Sequence, residues 1–224
     1  MARITSHATV AWSEYVDMLS VAAVSENKAA RGWSIPASFS PAYRDSDNFV
    51  YRYALTFDYD HITALDFDRI CSAYSSREYL AHTTFSHSLD KPRWRFVFPL
   101  SRPATYDEFQ AISRQVASWA GIELAARESH VPAQMMFLPV VRPGQPFVFH
   151  RNPGEWLDVD CILGVYLDWT DRAEWPHRVD GDGTHEQGEA LDPTEKPGIV
   201  GDFCRAYTCE EAIEVFGLPY EKVR

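Results

Sequence analysis

Two aspartates close an apolar run in Phe57-Asp58-Tyr59-Asp60. Side chains at i and i+2 of a strand share a face, so both carboxylates would point one way, ~7 Å apart at Cα. Adjacent like charges are comfortable only with a cation between them or water around them. Hard oxygen donors on one face suit Mg²⁺ or Mn²⁺, which keep positions open for phosphate oxygens. That is the donor arrangement of two-metal phosphoryl transfer. The same residues also fit a strand end running into a polar loop, and Asp-x-Asp alone is common.

A second group follows in Thr84-Phe85-Ser86-His87-Ser88 and Lys91-Pro92-Arg93-Trp94-Arg95. Hydroxyls, a His N–H and two guanidinium forks suit a triphosphate. Arg93 and Arg95 share one strand face, and Trp94, Phe96 and Phe98 share the other. The arginine pair reads equally well as the solvated face of an amphipathic strand. In Gly121-Ile122-Glu123, Glu123 is either a third metal-binding acid or an ordinary surface glutamate.

The positioning elements alternate in type. Ser13 is the expected N-cap of a first amphipathic helix carrying Tyr15, Met18, Leu19 and Ala22. Residues 32–48 are rich in Gly, Pro, Ser and Asp and read as loop. Strands are expected at 50–57, 79–85, 94–98 (stopped by Pro99), 135–138 (ended by Pro139) and 147–150. Thr63 and Asp66 open a helix over 64–76. Thr105 and Glu108 open another, striped by Phe109, Ile112, Val116 and Trp119 and closed by Gly121. A short helix is expected over 158–168. His177–Gly198 is polar, acidic and glycine-rich, with no apolar face, and reads as a flexible linker. Thr208 caps a last short helix.

The 224 residues carry 32 acids and 21 bases, a net charge of −11 that argues against a nucleic-acid partner on its face. The distribution reverses that reading. Residues 1–154 hold 15 acids and 15 bases, so the whole excess falls after them. Arg44, Arg52, Arg102 and Arg114 are then, from charge and position, candidate nucleic-acid contacts. At 46% hydrophobic residues the chain is not disordered throughout, and no apolar run is long enough for a membrane span. Four scattered cysteines form no CxxC pair, which fits idle thiols in a cytoplasmic protein.

In this order the residues resemble the archaeo-eukaryotic primase (primase-polymerase) superfamily. Its three motifs match Leu55-Thr56-Phe57-Asp58-Tyr59-Asp60, Phe85-Ser86-His87 and Ile122-Glu123. Phe85 stands where a small residue is usual and Glu123 where Asp is commoner. Glu128 is the alternative third acid. Lys91-Pro92-Arg93-Trp94-Arg95, Pro99-Leu100-Ser101-Arg102-Pro103 and Gln134-Met135-Met136-Phe137-Leu138-Pro139 are similar to the N-terminal region of phage and prophage primase-helicases. The resemblance implies an α+β fold, a primase-polymerase core with an RRM-like mixed or antiparallel sheet flanked by helices. It implies a catalytic domain over 1–176, a linker over 177–198 and a tail over 199–224 that leads toward a helicase region. It further implies a DNA primase or polymerase acting on a single-stranded template and primer with dNTP or NTP. Asp58, Asp60 and Glu123 would hold two Mg²⁺ or Mn²⁺ ions, while Ser86, His87, Arg93 and Arg95 would bind the nucleotide. An inactive primase-like binding module and a metal-dependent nuclease are the alternatives.

Overall fold

The computed structural model describes residues 2–3, 8–41, 43–179, 203, 205–208, 211–212 and 215. The chain divides into two units, Met1–Asp182 and Gly183–Arg224. In the first, helix α1 (Trp12–Ser20) precedes strands β1 (Ala37–Phe39) and β2 (Phe49–Asp60). Then come α2 (Ala64–Ala73), β3 (Tyr79–Thr83), β4 (Arg93–Ala104), α3 (Tyr106–Ala120), β5 (Phe149–Asn152) and α4 (Val159–Leu163). The five strands form one sheet in the order β5-β3-β4-β2-β1, with every neighbouring pair antiparallel. The unit is α+β, as expected. Within β2-α2-β3-β4-α3, β4 lies between β2 and β3, while β5 joins the outer edge of β3.

Strand alternation sorts the side chains onto two faces. On one face Leu55, Phe57 and Tyr59 of β2 join Phe96 and Phe98 of β4 against α2, α3 and α4. Phe109, Ile112 and Val116 of α3 are fully buried there, each side chain worth about 1.5–3 kcal/mol. On the other face Ala54, Leu80 and Val97 pack under Tyr15, Val16 and Leu19 of α1. Cover from α1 stops there. Beyond the buried Thr56 on that face of β2, Asp58 and Asp60 therefore look out past the apolar patch.

The expected caps hold at α2 and α3. Thr63 Oγ1 accepts from the Asp66 N–H at 3.1 Å, and the Thr105 N–H donates to Glu108 at 2.8 Å. Gly121 closes α3 at φ 109°, where a Cβ would also meet the Arg69 guanidinium at 3.1 Å. Ser13 is not the cap of α1. The cap is Ala11, two residues earlier, and Glu14 reaches back to the extended Ala11 N–H at 2.7 Å. Three short strands interrupt the expected loop over 32–48.

Pro99 does not stop β4. It sits opposite Ala54, and the ladder to β2 then shifts, so that Arg52 faces Ala104. A proline lacks a donor but keeps its acceptor. Its carbonyl takes the Leu157 N–H at 3.0 Å, and the Ser101 N–H donates to Leu157 at 2.9 Å. The strand thus changes partner instead of ending. The expected strand over 135–138 shortens to Met136–Phe137, paired with Trp33–Ser34. The helix expected over 158–168 is Val159–Leu163, capped by Asp158.

Arg178 and Val179, placed by the sequence in the linker, bond to the turn after α3 and belong to the first unit. Most of the expected linker and tail lies outside the described residues. In the second unit Thr208 and Glu211 exchange capping bonds at 2.8 and 3.2 Å.

Candidate nucleotide site

Antiparallel register builds the site. Asp58 of β2 faces Arg95 of β4, which faces His82 of β3; one row further out Asp60 faces Arg93. Cross-strand partners point to the same side of a sheet, so acids and bases alternate on the face that α1 leaves uncovered. A cavity of about 280 Å³ opens there, lined by Asp58, Asp60, His82, Arg93, Arg95 and Glu128. Lys28, Thr84, Phe85, Ser86 and Gln134 contribute to its rim.

The two acid–base rows differ in strength. Arg95 grips Asp58 with both prongs, Nε to Oδ1 at 2.6 Å and Nη2 to Oδ2 at 2.8 Å, and Nη1 donates to the Phe137 carbonyl at 3.1 Å. Bidentate charge-assisted pairs of this kind are the strong ones. Burial alone would push the Asp58 carboxyl up, yet the Arg95 guanidinium more than offsets it and holds the group below the usual carboxylate range. Arg93 makes one bond to Asp60 at 3.1 Å and one to His61 Nε2 at 2.9 Å, and both members of this ion pair are more exposed than those of the first. His61 holds the left-handed conformation, φ 59°, at the point where β2 ends. That conformation is uncommon for a residue with a Cβ.

Of the residues the sequence singled out, Asp58, Asp60, Ser86, Arg93 and Arg95 come together at the cavity. Glu123 does not. It lies on the turn directly after α3, where Arg178 Nη2 approaches it at 3.3 Å and the Val179 N–H donates to it at 2.5 Å. The chain reaches β2 only after that turn. Ala125 bridges Tyr59, and the Ala126 N–H donates to the Asp58 carbonyl at 2.8 Å. Glu128, on the turn Arg127–His130, is therefore the acid delivered to the cavity. Ser129 Oγ accepts the Asp58 N–H at 3.0 Å and fixes that turn against β2.

His87 does not line the cavity either. Its Nδ1 accepts the Arg93 backbone N–H at 3.1 Å, which ties the hairpin to the start of β4. Burial lowers its pKa, although the Arg93 bond works the other way. The sequence reading missed His82 and Lys28. His82 sits among apolar strand residues and is brought beside Arg95 only by register. Lys28 comes from a loop without pattern.

The four arginines expected to contact nucleic acid are each engaged by groups of the fold itself. Arg52 is buried and donates to the carbonyls of Ala54, Pro132 and Gln134 at 3.0–3.1 Å, its pKa lowered by burial to about 10. Arg102 is held by Asp160 at 2.7 Å and Glu108 at 2.9 Å. Arg44 donates to the Ala133 carbonyl, and Arg114 stacks over Trp175.

Three carboxylates at one cavity have the donor chemistry of a Mg²⁺ or Mn²⁺ site. Among the described residues, however, no three His, Cys, Asp or Glu side chains converge as a ready-made ion site. Here Arg95 and Arg93 neutralise two of the three acids. Among the described residues no helix is long and apolar enough to cross a membrane.

A search of curated proteins finds no match. Among solved structures the chain resembles the AEP domain of the cyanophage S-2L primase-polymerase (PrimPol). The match has 12% identity and a TM-score of 0.46, over 61% of this chain and 72% of that one. The sequence matches the VapE N-terminal domain across residues 5–178, well over half its length, and the chain belongs to that family.

Proposed function

We propose that this cavity is the nucleotide site of a template-directed nucleotidyltransferase, a DNA primase or polymerase of a phage or mobile-element replication system. One observation carries the reading: Asp58, Asp60 and Glu128 share a single cavity with Arg93, Arg95 and Lys28. Triphosphate oxygens need the bases, and the acids supply hard ligands for divalent ions. Bound at those acids, such ions would activate a primer hydroxyl and stabilise the leaving pyrophosphate.

The chain's own residues divide the work by mobility. Arg95 is 11% exposed and held by three hydrogen bonds, so it stays with Asp58 as a fixed charge at the cavity floor. Arg93 is 30% exposed and bonded to a carboxylate that is 45% exposed. Such a pair is worth under about 1 kcal/mol. Arg93 therefore leaves Asp60 readily to meet a phosphate oxygen, and Asp60 is freed in the same movement. Thr84 and Ser86 add hydroxyl donors at the rim, and His87 fixes the backbone from which Arg93 projects. Partners under this reading are a single-stranded template with its primer, dNTP or NTP, and a helicase region.

The bidentate Arg95–Asp58 pair specifically favours a second reading, a binding module without catalysis. Isothermal titration with a dNTP in Mg²⁺ and in EDTA separates the two. Nucleotide affinity that rises with Mg²⁺ and loses that rise in Glu128→Gln supports the enzyme. Affinity indifferent to Mg²⁺ supports the module.

A further inference from the structure

His82 is fully buried in β3, lines the cavity, and faces Arg95 across the ladder. Its Nδ1 lies 3.0 Å from the Thr83 carbonyl. A carbonyl can only accept, so Nδ1 carries the ring proton and Nε2 is a bare acceptor. That Nε2 is buried and has no hydrogen-bond partner. Buried polar atoms are nearly always satisfied, so an unpartnered acceptor on a residue that lines a cavity invites a donor from what fills it. The ring is also fixed in place. Phe147 packs 6.0 Å away, and Thr83 beside it exchanges bonds of 3.0 Å with Val148 through both its N–H and its hydroxyl.

We propose that His82 is a specificity-determining residue of this cavity, whose Nε2 accepts a hydrogen bond from a hydroxyl or amino donor on the nucleoside part of the ligand. The proposal rests on the nucleotide reading above and deepens it. Phosphate oxygens cannot be the partner, because at neutral pH they are chiefly acceptors. Nor can His82 assist them as a cation. Burial, with Arg95 alongside, lowers its pKa to about 4, so the ring stays neutral. The cavity thus separates two chemistries. Arg93 and Lys28 can only donate, and so suit an anion, while the neutral His82 ring offers an acceptor to a donor. A ligand bearing both, as a nucleoside triphosphate does, matches the pattern, and inorganic tripolyphosphate matches only half of it.

The test titrates the full chain with tripolyphosphate, ATP, dATP, GTP and ITP, for the parent and for His82→Leu and His82→Gln. ATP against dATP reports a 2′-hydroxyl donor, and GTP against ITP an amino donor. The parent should bind at least one nucleotide more tightly than tripolyphosphate. His82→Leu should lose about 10- to 100-fold for that nucleotide, the cost of an unmade buried hydrogen bond, with tripolyphosphate binding unchanged. His82→Gln, which keeps an acceptor near the Nε2 position, should retain most of the affinity. Parallel loss of tripolyphosphate in His82→Leu, equal weakening by Leu and Gln, or unchanged nucleotide binding overturns the proposal. A parent that binds tripolyphosphate as well as any nucleotide overturns it too, and leaves the phosphate site standing. A parent that binds neither overturns both readings.

Discussion

Removing either partner of the Asp58–Arg95 pair should destabilise the chain by different amounts, and removing both should cost less than removing Asp58 alone. The Arg95 side chain is 11% exposed and that of Asp58 34%. Asp58→Ala strands a buried guanidinium whose remaining bond is to the Phe137 carbonyl. Breaking a fully buried ion pair costs about 3–5 kcal/mol. Partial exposure of this pair puts Asp58→Ala at about 3 kcal/mol, or ~6–12 °C in Tm for a unit of this size. Arg95→Met leaves a carboxylate that opens on the cavity and can hydrate, which places it at about 1–2 kcal/mol. Asp58→Ala with Arg95→Met leaves no orphan charge and should recover part of the loss, since apolar replacement of both members of a pair is often near neutral. Urea melts of the four proteins give the coupling energy directly. A double variant as unstable as the sum of the two single ones would refute the claim that Arg95 is a buried charge held in place by Asp58. Asp58→Ala is also a poor activity probe for this reason, and Asp58→Asn, which keeps an acceptor for Arg95, is the better one.

Three further outcomes are expected. Asp60→Asn should change stability by under about 1 kcal/mol, because its pair with Arg93 is exposed, while sharply weakening Mg²⁺-dependent nucleotide binding; a calorimetric titration beside a thermal melt reads both. Glu128→Gln should abolish the Mg²⁺ dependence and Glu123→Gln should not, since Glu123 binds Arg178 away from the cavity; equal effects in the same titration would place the third acid wrongly. His82 titrates near 6.5 when unfolded and at about 4 when folded, so the unfolded chain binds more protons between those values. Its stabilising contribution is complete above about pH 6.5 and falls by about 3 kcal/mol as pH drops to 4. His82→Gln should flatten that limb of the stability–pH curve, and parallel curves for parent and variant would contradict the burial argument.

The parts of this site that were legible in the sequence are those set by local periodicity. Asp58 and Asp60 were expected on one face because a strand repeats every two residues, and Arg93 and Arg95 for the same reason. What the sequence could not show was which rows of two strands would meet. The β2–β4 register depends on a ladder that shifts at Pro99 and hands over to Leu157. His82 is invisible until that register sets it beside Arg95. Glu123 and Glu128 are only five residues apart, and the choice between them turns on where Ala125 and Ala126 dock on β2. Arg52 misled for another reason. A charged side chain with no acid partner reads as exposed, but three carbonyls, two of them some 80 residues away, satisfy it inside the fold.

The central claim is that the cavity performs metal-dependent nucleotide transfer. Its most direct test is extension of a labelled primer on a single-stranded template by the chain, with Mg²⁺ or Mn²⁺ and dNTPs or NTPs, beside Asp58→Asn at matched stability. The parent should add nucleotides in a divalent ion and none in EDTA, and the variant should lose at least about 100-fold. Extension by Asp58→Asn at the parental rate, or no addition by a folded parent that binds nucleotide, would contradict it.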